Sequence, residues 1–194
     1  MGRGLSVSSW IMLSTENQLL LRELAYKSIR HGLETGKALE INIIEYPAEL
    51  QAKKATFVTL HRNNELRGCI GILEPLRPLA EDIAYNAWAA AFSDSRFMPV
   101  SASELDDLDI HISILGTPEE MNFTSEDDLV KQIRPGVDGL ILEKGFNKGT
   151  FLPSVWDSLT DSHEFLNHLK LKAGLPADYW SDNIKIKRYT VEEF

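Results

Sequence analysis

Two runs of β-forming residues flank a pair of asparagines, and no other local signal constrains the chain as much. Thr56-Phe57-Val58-Thr59-Leu60-His61 is β-branched and aromatic, and Leu66 to Leu73 forms the second run. Asn63-Asn64 between them can take positive φ, so the pattern predicts an antiparallel hairpin. With the two asparagines as the loop, Arg62 is expected opposite Glu65, Leu60 opposite Arg67 and Val58 opposite Cys69. Arg67, Cys69 and Gly71 would then share a face with Val58 and Leu60, because side chains alternate along a strand.

The remaining elements follow from periodicity and stop signals. Leu20, Leu21, Leu24, Ala25, Ile29 and Leu33 recur at helical spacing behind the capping-box pattern Thr15-x-x-Gln18, and Gly36 is a stop, which predicts a helix over 16–35. Residues 37–54 are mixed, with a short extended piece expected near Ile41, Ile43 and Ile44. An alanine-rich helix is expected over 77–92, its small side chains allowing a close approach to a sheet. Ser125-x-x-Asp128 and Asp161-x-x-Glu164 open two further helices, ending near Arg134 and Ala173. Strands are expected over 108–114, 139–142, 150–152 and 184–191. Strands come in hairpins and runs, not in β-helix-β alternation, so the fold class is α+β, with a mainly antiparallel sheet flanked by helices.

Composition excludes several classes. The 194 residues, 43% hydrophobic and 25% charged, can bury a core of their own. A net charge of −9 opposes phosphate backbones, so no nucleic-acid partner is expected. Lys185, Lys187 and Arg188, the densest basic cluster, alternate as one solvated strand face would. No apolar run approaches the roughly 18 residues that span a bilayer, so no membrane partner is expected either. One cysteine excludes an intramolecular disulfide and fits a cytoplasmic location. Residues 1–14 read as a loose leader; Met1-Gly2 with Ser6 matches an acylation pattern but lacks a polybasic second anchor.

The run Leu66-Arg67-Gly68-Cys69-Ile70-Gly71 resembles the hexapeptide signature of the AMMECR family, the AmmeMemoRadiSam system protein A domain. Further motifs stand in register: Thr56 to Leu60, Asp94-x-Arg96-Phe97-x-Pro99, Asp138 to Leu142, Phe151-Leu152-Pro153-x-Val155, Lys172 to Leu175 and Trp180. Ser154 stands where the family often has Gln. The resemblance implies one domain over 15–194 built of two unequal subdomains, with the hexapeptide near their junction. Family members are often encoded beside, or fused to, a Memo-like protein and a radical SAM protein. A shared multi-protein system is therefore implied, although the family has no agreed biochemical activity. Neither the residues nor the resemblance identifies a cofactor.

Within the hexapeptide, Cys69 is the candidate catalytic residue, since a thiol becomes a nucleophile when a nearby cation lowers its pKa. Arg67 lies two residues away, about 6.6 Å along a strand. The alternative is that Cys69 is a small buried hydrophobe. Gly68 and Gly71 admit either a ligand or a packed backbone. Arg67, Asp94 and Arg96 form either a structural ion-pair group or the site of a small anionic ligand. His163 and His168 fall on different helix faces and Cys69 has no cysteine partner, so no metal site is expected. His61 and Cys69 are expected on opposite faces of the hairpin. Gly145 to Gly149 reads as a hairpin turn, not a phosphate loop. Two functions remain: a binding or accessory module, or a small thiol-dependent enzyme using Cys69 with Arg67.

Overall fold

A computed structural model describes residues 12–194, so the acylation pattern and most of the loose leader lie outside the described residues. The fold is α+β, and the chain divides into two compact units, one running through Ile112 together with Phe194, the other Ser113–Glu193.

In the first unit, helix α1 (Thr15–Thr35) begins at Ser14, whose side chain accepts from the Asn17 N–H. The expected capping box at Thr15 is thus displaced by one residue. Ser14 is extended, at φ −60° and ψ 151°, and can cap from outside the helix, whereas Thr15 is already helical. Gly36 closes α1 in the left-handed region, at φ 76°. The segment beyond it forms a 3-10 turn at Ile43–Glu45 instead of the expected extended piece, and then the short helix α2 (Ala48–Gln51). Strands β1 (Thr56–Arg62) and β2 (Glu65–Gly71) make the hairpin, with Asn63 and Asn64 both at positive φ. Helix α3 (Leu79–Phe92) follows, beginning two residues later than expected because Pro78 occupies its N-cap. Strand β3 (Leu108–Leu115) lies beside β1 and leaves β2 at the sheet edge.

α3 is buried over most of its circumference, Asp82 and Asn86 included, as expected of a helix packed on two sides. Ile83, Ala87 and Ala90 are buried, as are Leu21, Leu24, Ala25 and Ile29 of α1 and Val58, Leu60 and Ile112 of the sheet. Removing such side chains from water supplies about 25 cal/mol per Å2. Small residues set the approach: a Cβ on Gly32 would come within 2.4 Å of the Phe92 ring.

The second unit holds helices α4 (Glu126–Gln132) and α5 (Ser162–Lys172) and a sheet of four strands. The strands are β4 (Glu119–Glu120), β5 (Gly139–Lys144), β6 (Asn147–Phe151) and β7 (Lys185–Tyr189), in the order β4-β7-β5-β6. Ser125 and Asp161 cap the two helices as their spacing predicts. The final strand, expected as one piece over 184–191, is broken at Thr190: β8 (Val191–Glu193) pairs instead with Ser113 to Leu115 of β3. Leu140, Leu142, Phe165, Leu166, Leu169 and Ile186 form the core, and Trp156 stacks on Phe165 at 3.8 Å. Lys170 is fully buried and bonded to Glu126 and to the Ala177 carbonyl. Of the basic cluster, Lys185 is exposed, while Lys187 reaches Glu143.

Candidate functional site

The hexapeptide occupies β2, and its register differs from the expected one. Arg62 does face Glu65, but beyond His61↔Leu66 the ladder shifts by one, so Leu60 faces Gly68 and Thr59 faces Cys69. Arg67 is the extra residue, a β-bulge that no pattern in the sequence marks. One added residue exchanges the faces of everything after it. Gly68 therefore points with Val58 and Leu60 into the core, and Cys69 points the other way with Thr59. Arg67, Cys69 and Gly71 do not share the face of Val58 and Leu60.

Each glycine is dictated by packing. A Cβ on Gly68 would sit 2.1 Å from the Ala90 carbonyl oxygen of α3, and one on Gly71 would sit 2.3 Å from the Thr56 carbonyl oxygen. The alanine-rich helix thus lies directly against the β2 backbone.

Cys69 is half-buried. Its Sγ accepts from the Thr59 hydroxyl at 3.1 Å. Its main chain, on the free edge of the sheet, is bonded by the loop after α3: the Cys69 N–H donates to Asp94 Oδ2 at 2.9 Å, and Arg96 Nη2 reaches the Cys69 carbonyl at 3.4 Å. Asp94 and Arg96 also pair through two bonds, 3.0 and 2.7 Å. The pair therefore does for β2 what a further strand would do, satisfying and covering an edge. The Arg96 guanidinium, with burial opposing it and the Cys69 and Arg96 main-chain N–H groups assisting, holds the Asp94 carboxyl well below the usual carboxylate range.

Arg67 turns to neither Cys69 nor Asp94. It binds Glu104 through two bonds, Nε to Oε1 at 2.8 Å and Nη2 to Oε2 at 3.2 Å, and Nη2 also reaches the Pro99 carbonyl at 3.3 Å. Arg67 Nη1 is buried without a partner. Glu104 also accepts from the Ser101 N–H and hydroxyl. Arg67 above all, and then Ser101, push its pKa down to about 2 against the burial that opposes them. Glu104 was not among the residues expected at this site. The signal for it was the capping pattern Ser101-x-x-Glu104, whose reciprocal bonds are formed.

The corrected register moves Cys69 to the face of Thr59 and His61, so His61 and Cys69 do not lie on opposite faces of the hairpin as expected. The His61 ring packs edge-on against His111, centroids 5.0 Å apart, and not against the thiol. Among the described residues, no group of three or more His, Cys, Asp or Glu side chains could hold a metal ion, and no helix is long and apolar enough to cross a membrane.

A family model described as AMMECR1 matches residues 22–194. Protein MJ0810 of Methanocaldococcus jannaschii is 42% identical over 163 residues, spanning 80% of this chain and 79% of its own length. A protein of Methanothermobacter thermautotrophicus is 37% identical over 186 residues, 94% of this chain and 95% of its own. The crystal structure of uncharacterized protein PH0010 from Pyrococcus horikoshii superposes with a TM-score of 0.85 at 38% identity, covering 93% of this chain and 92% of that one.

Proposed function

The chain belongs to the AMMECR1 family, and on that premise we propose that it is a binding or accessory module of a multi-protein system with Memo-like and radical SAM partners, in the cytoplasm. The observation that carries this reading is the internal commitment of the hexapeptide. Arg67 is spent on Glu104, Arg96 on Asp94, and Gly68 and Gly71 on close backbone contacts. A reaction centre needs charges that become satisfied when substrate arrives. Here both arginine charges are already paired, with the buried Arg67 Nη1 left without a bond, which suits a rigid surface that presents a shape. Affinity co-purification of this chain with the Memo-like and radical SAM proteins tests it. Retention of either partner, by wild type and by Cys69→Ala alike, is expected; loss of both from wild type overturns the reading.

A second reading has one observation in its favour. The Thr59 hydroxyl donates to a half-buried Sγ and so orients the one thiol of the hexapeptide. Cys69 would then act on a small anionic substrate, with Arg67 Nη1 as the guanidinium nitrogen still without a partner. Iodoacetamide labelling of the native protein across pH decides it: an inert thiol removes this alternative.

A further inference from the structure

Charged side chains converge a second time in the first unit, away from the hexapeptide. A cavity of about 460 Å3 lies between the segment 37–41, which follows α1, and the beginning of α3. Lys37, Leu39, Glu40, Arg77, Glu81 and Tyr85 line it. That volume is in the range of small-molecule sites.

The walls are tied in place. The Ser28 hydroxyl donates to the Ala84 carbonyl at 2.7 Å and accepts from the Leu39 N–H at 3.1 Å, which fastens the segment to both helices. Arg77 is held from two directions. Its Nη1 donates to Asp82 Oδ1 at 3.2 Å, and its guanidinium carbon stands 4.1 Å from the centre of the Tyr85 ring. Asp82 is itself completely buried and takes bonds from the Thr56 hydroxyl at 2.7 Å and the Asn86 amide at 3.0 Å. A fully buried carboxylate oriented by its neighbours thus fixes one edge of the Arg77 fork. The other donors of that fork have no partner among the described residues, and neither do the charged groups of Lys37, Glu40 and Glu81.

The signs of these charges select the ligand. A simple anion would be drawn to Lys37 and Arg77 and repelled by Glu40 and Glu81; a simple cation would meet the reverse. A neutral apolar molecule would desolvate all four without replacing their bonds to water. A molecule carrying one charge of each sign satisfies both pairs, and Leu39, Ile41 and Tyr85 provide apolar wall beside them. We propose that this cavity binds a small amphoteric ligand with a carboxylate on Arg77 and Lys37 and an ammonium group on Glu40 and Glu81, an apolar α-amino acid being the simplest case. The inference is independent of the partner proteins.

Titration of the 15N-labelled protein with L-leucine into the millimolar range, followed by amide spectra, tests the site. Shifts confined to 37–41 and the first turns of α3 are expected. N-acetyl-L-leucine lacks the ammonium group and L-leucinamide lacks the carboxylate; each should bind at least about tenfold more weakly, the cost of one charge-assisted bond. Arg77→Lys tests the fork. Should it fold poorly over the buried Asp82, Lys37→Ala and Glu81→Gln carry the test, each expected to weaken leucine to a similar degree. No shift with leucine overturns the proposal, as does equal binding of the blocked derivatives, or wild-type affinity in both Lys37→Ala and Glu81→Gln.

Discussion

Gly68 and Cys69 are neighbours with opposite tolerances. Gly68→Ala drives a Cβ to 2.1 Å from a carbonyl oxygen of α3, and main chain on both sides cannot yield as a side chain would. It is expected to cost about 3 kcal/mol or more in urea denaturation. Cys69→Ala removes one half-buried sulfur and its Thr59 bond, for about 1 kcal/mol. Equal effects would mean that the hexapeptide glycine is not set by helix packing. Glu104 gives a pH signature. Its folded pKa of about 2 lies below the ordinary 4.5, so its contribution is complete above 4.5 and is lost as pH falls toward 2. Asp94 acts with the same sign, still lower. Chemical denaturation at stepped pH should show wild-type stability falling across this window and a shallower fall in Glu104→Gln. The Asp94–Arg96 pair was legible from two charges two residues apart. Arg67–Glu104 was not, because it depends on a bulge. A bulge is decided by tertiary fit of α3 on Gly68, and leaves no periodicity to read.

At the scale of elements, local rules were obeyed where local chemistry decides. Asn63 and Asn64 have φ of 53° and 64°, the conformation for which their side chains are among the few suited. Glycine adopts that region without a Cβ penalty, so Asn64→Gly is expected to stabilise the protein by about 0.5 kcal/mol; a loss of that size would assign the turn a side-chain role instead. Asp161 caps α5 through the His163 and Glu164 N–H groups, and Asp161→Ala should cost about 1 kcal/mol in the same assay. Alternation located β3 but misjudged where the final strand ends. Residues 184–191 alternate apart from the adjacent Lys187 and Arg188, yet the strand is shared between different pairing partners and breaks at Thr190. Alternation reports a two-faced strand and carries no information on which neighbour pairs with which half.

For the molecule as a whole, the α+β class was readable because hairpins are local, whereas the division into two subdomains came from the family resemblance alone. Net charge makes the remaining prediction. The chain carries −9 at pH 7, and its sequence pI is about 5.0. Folding shifts individual carboxylates: Asp94 and Glu104 are held down by arginines and Asp128 by the Thr124 N–H, while burial raises Asp82. The lowered groups keep negative charge to lower pH, so charge neutrality in the folded protein is expected at or slightly below pH 5.0. Loss of charge removes the repulsion that keeps molecules apart. The ion pairs that hold the hexapeptide titrate lower still. Two events should therefore separate on acidification. Light scattering is expected to peak near pH 5 with the near-ultraviolet circular dichroism of the native core intact, and that dichroism should disappear only at more acidic pH. Loss of the dichroism at the same pH as the scattering peak would mean that the Asp94 and Glu104 pairs do not persist to the low pH their arginine partners dictate.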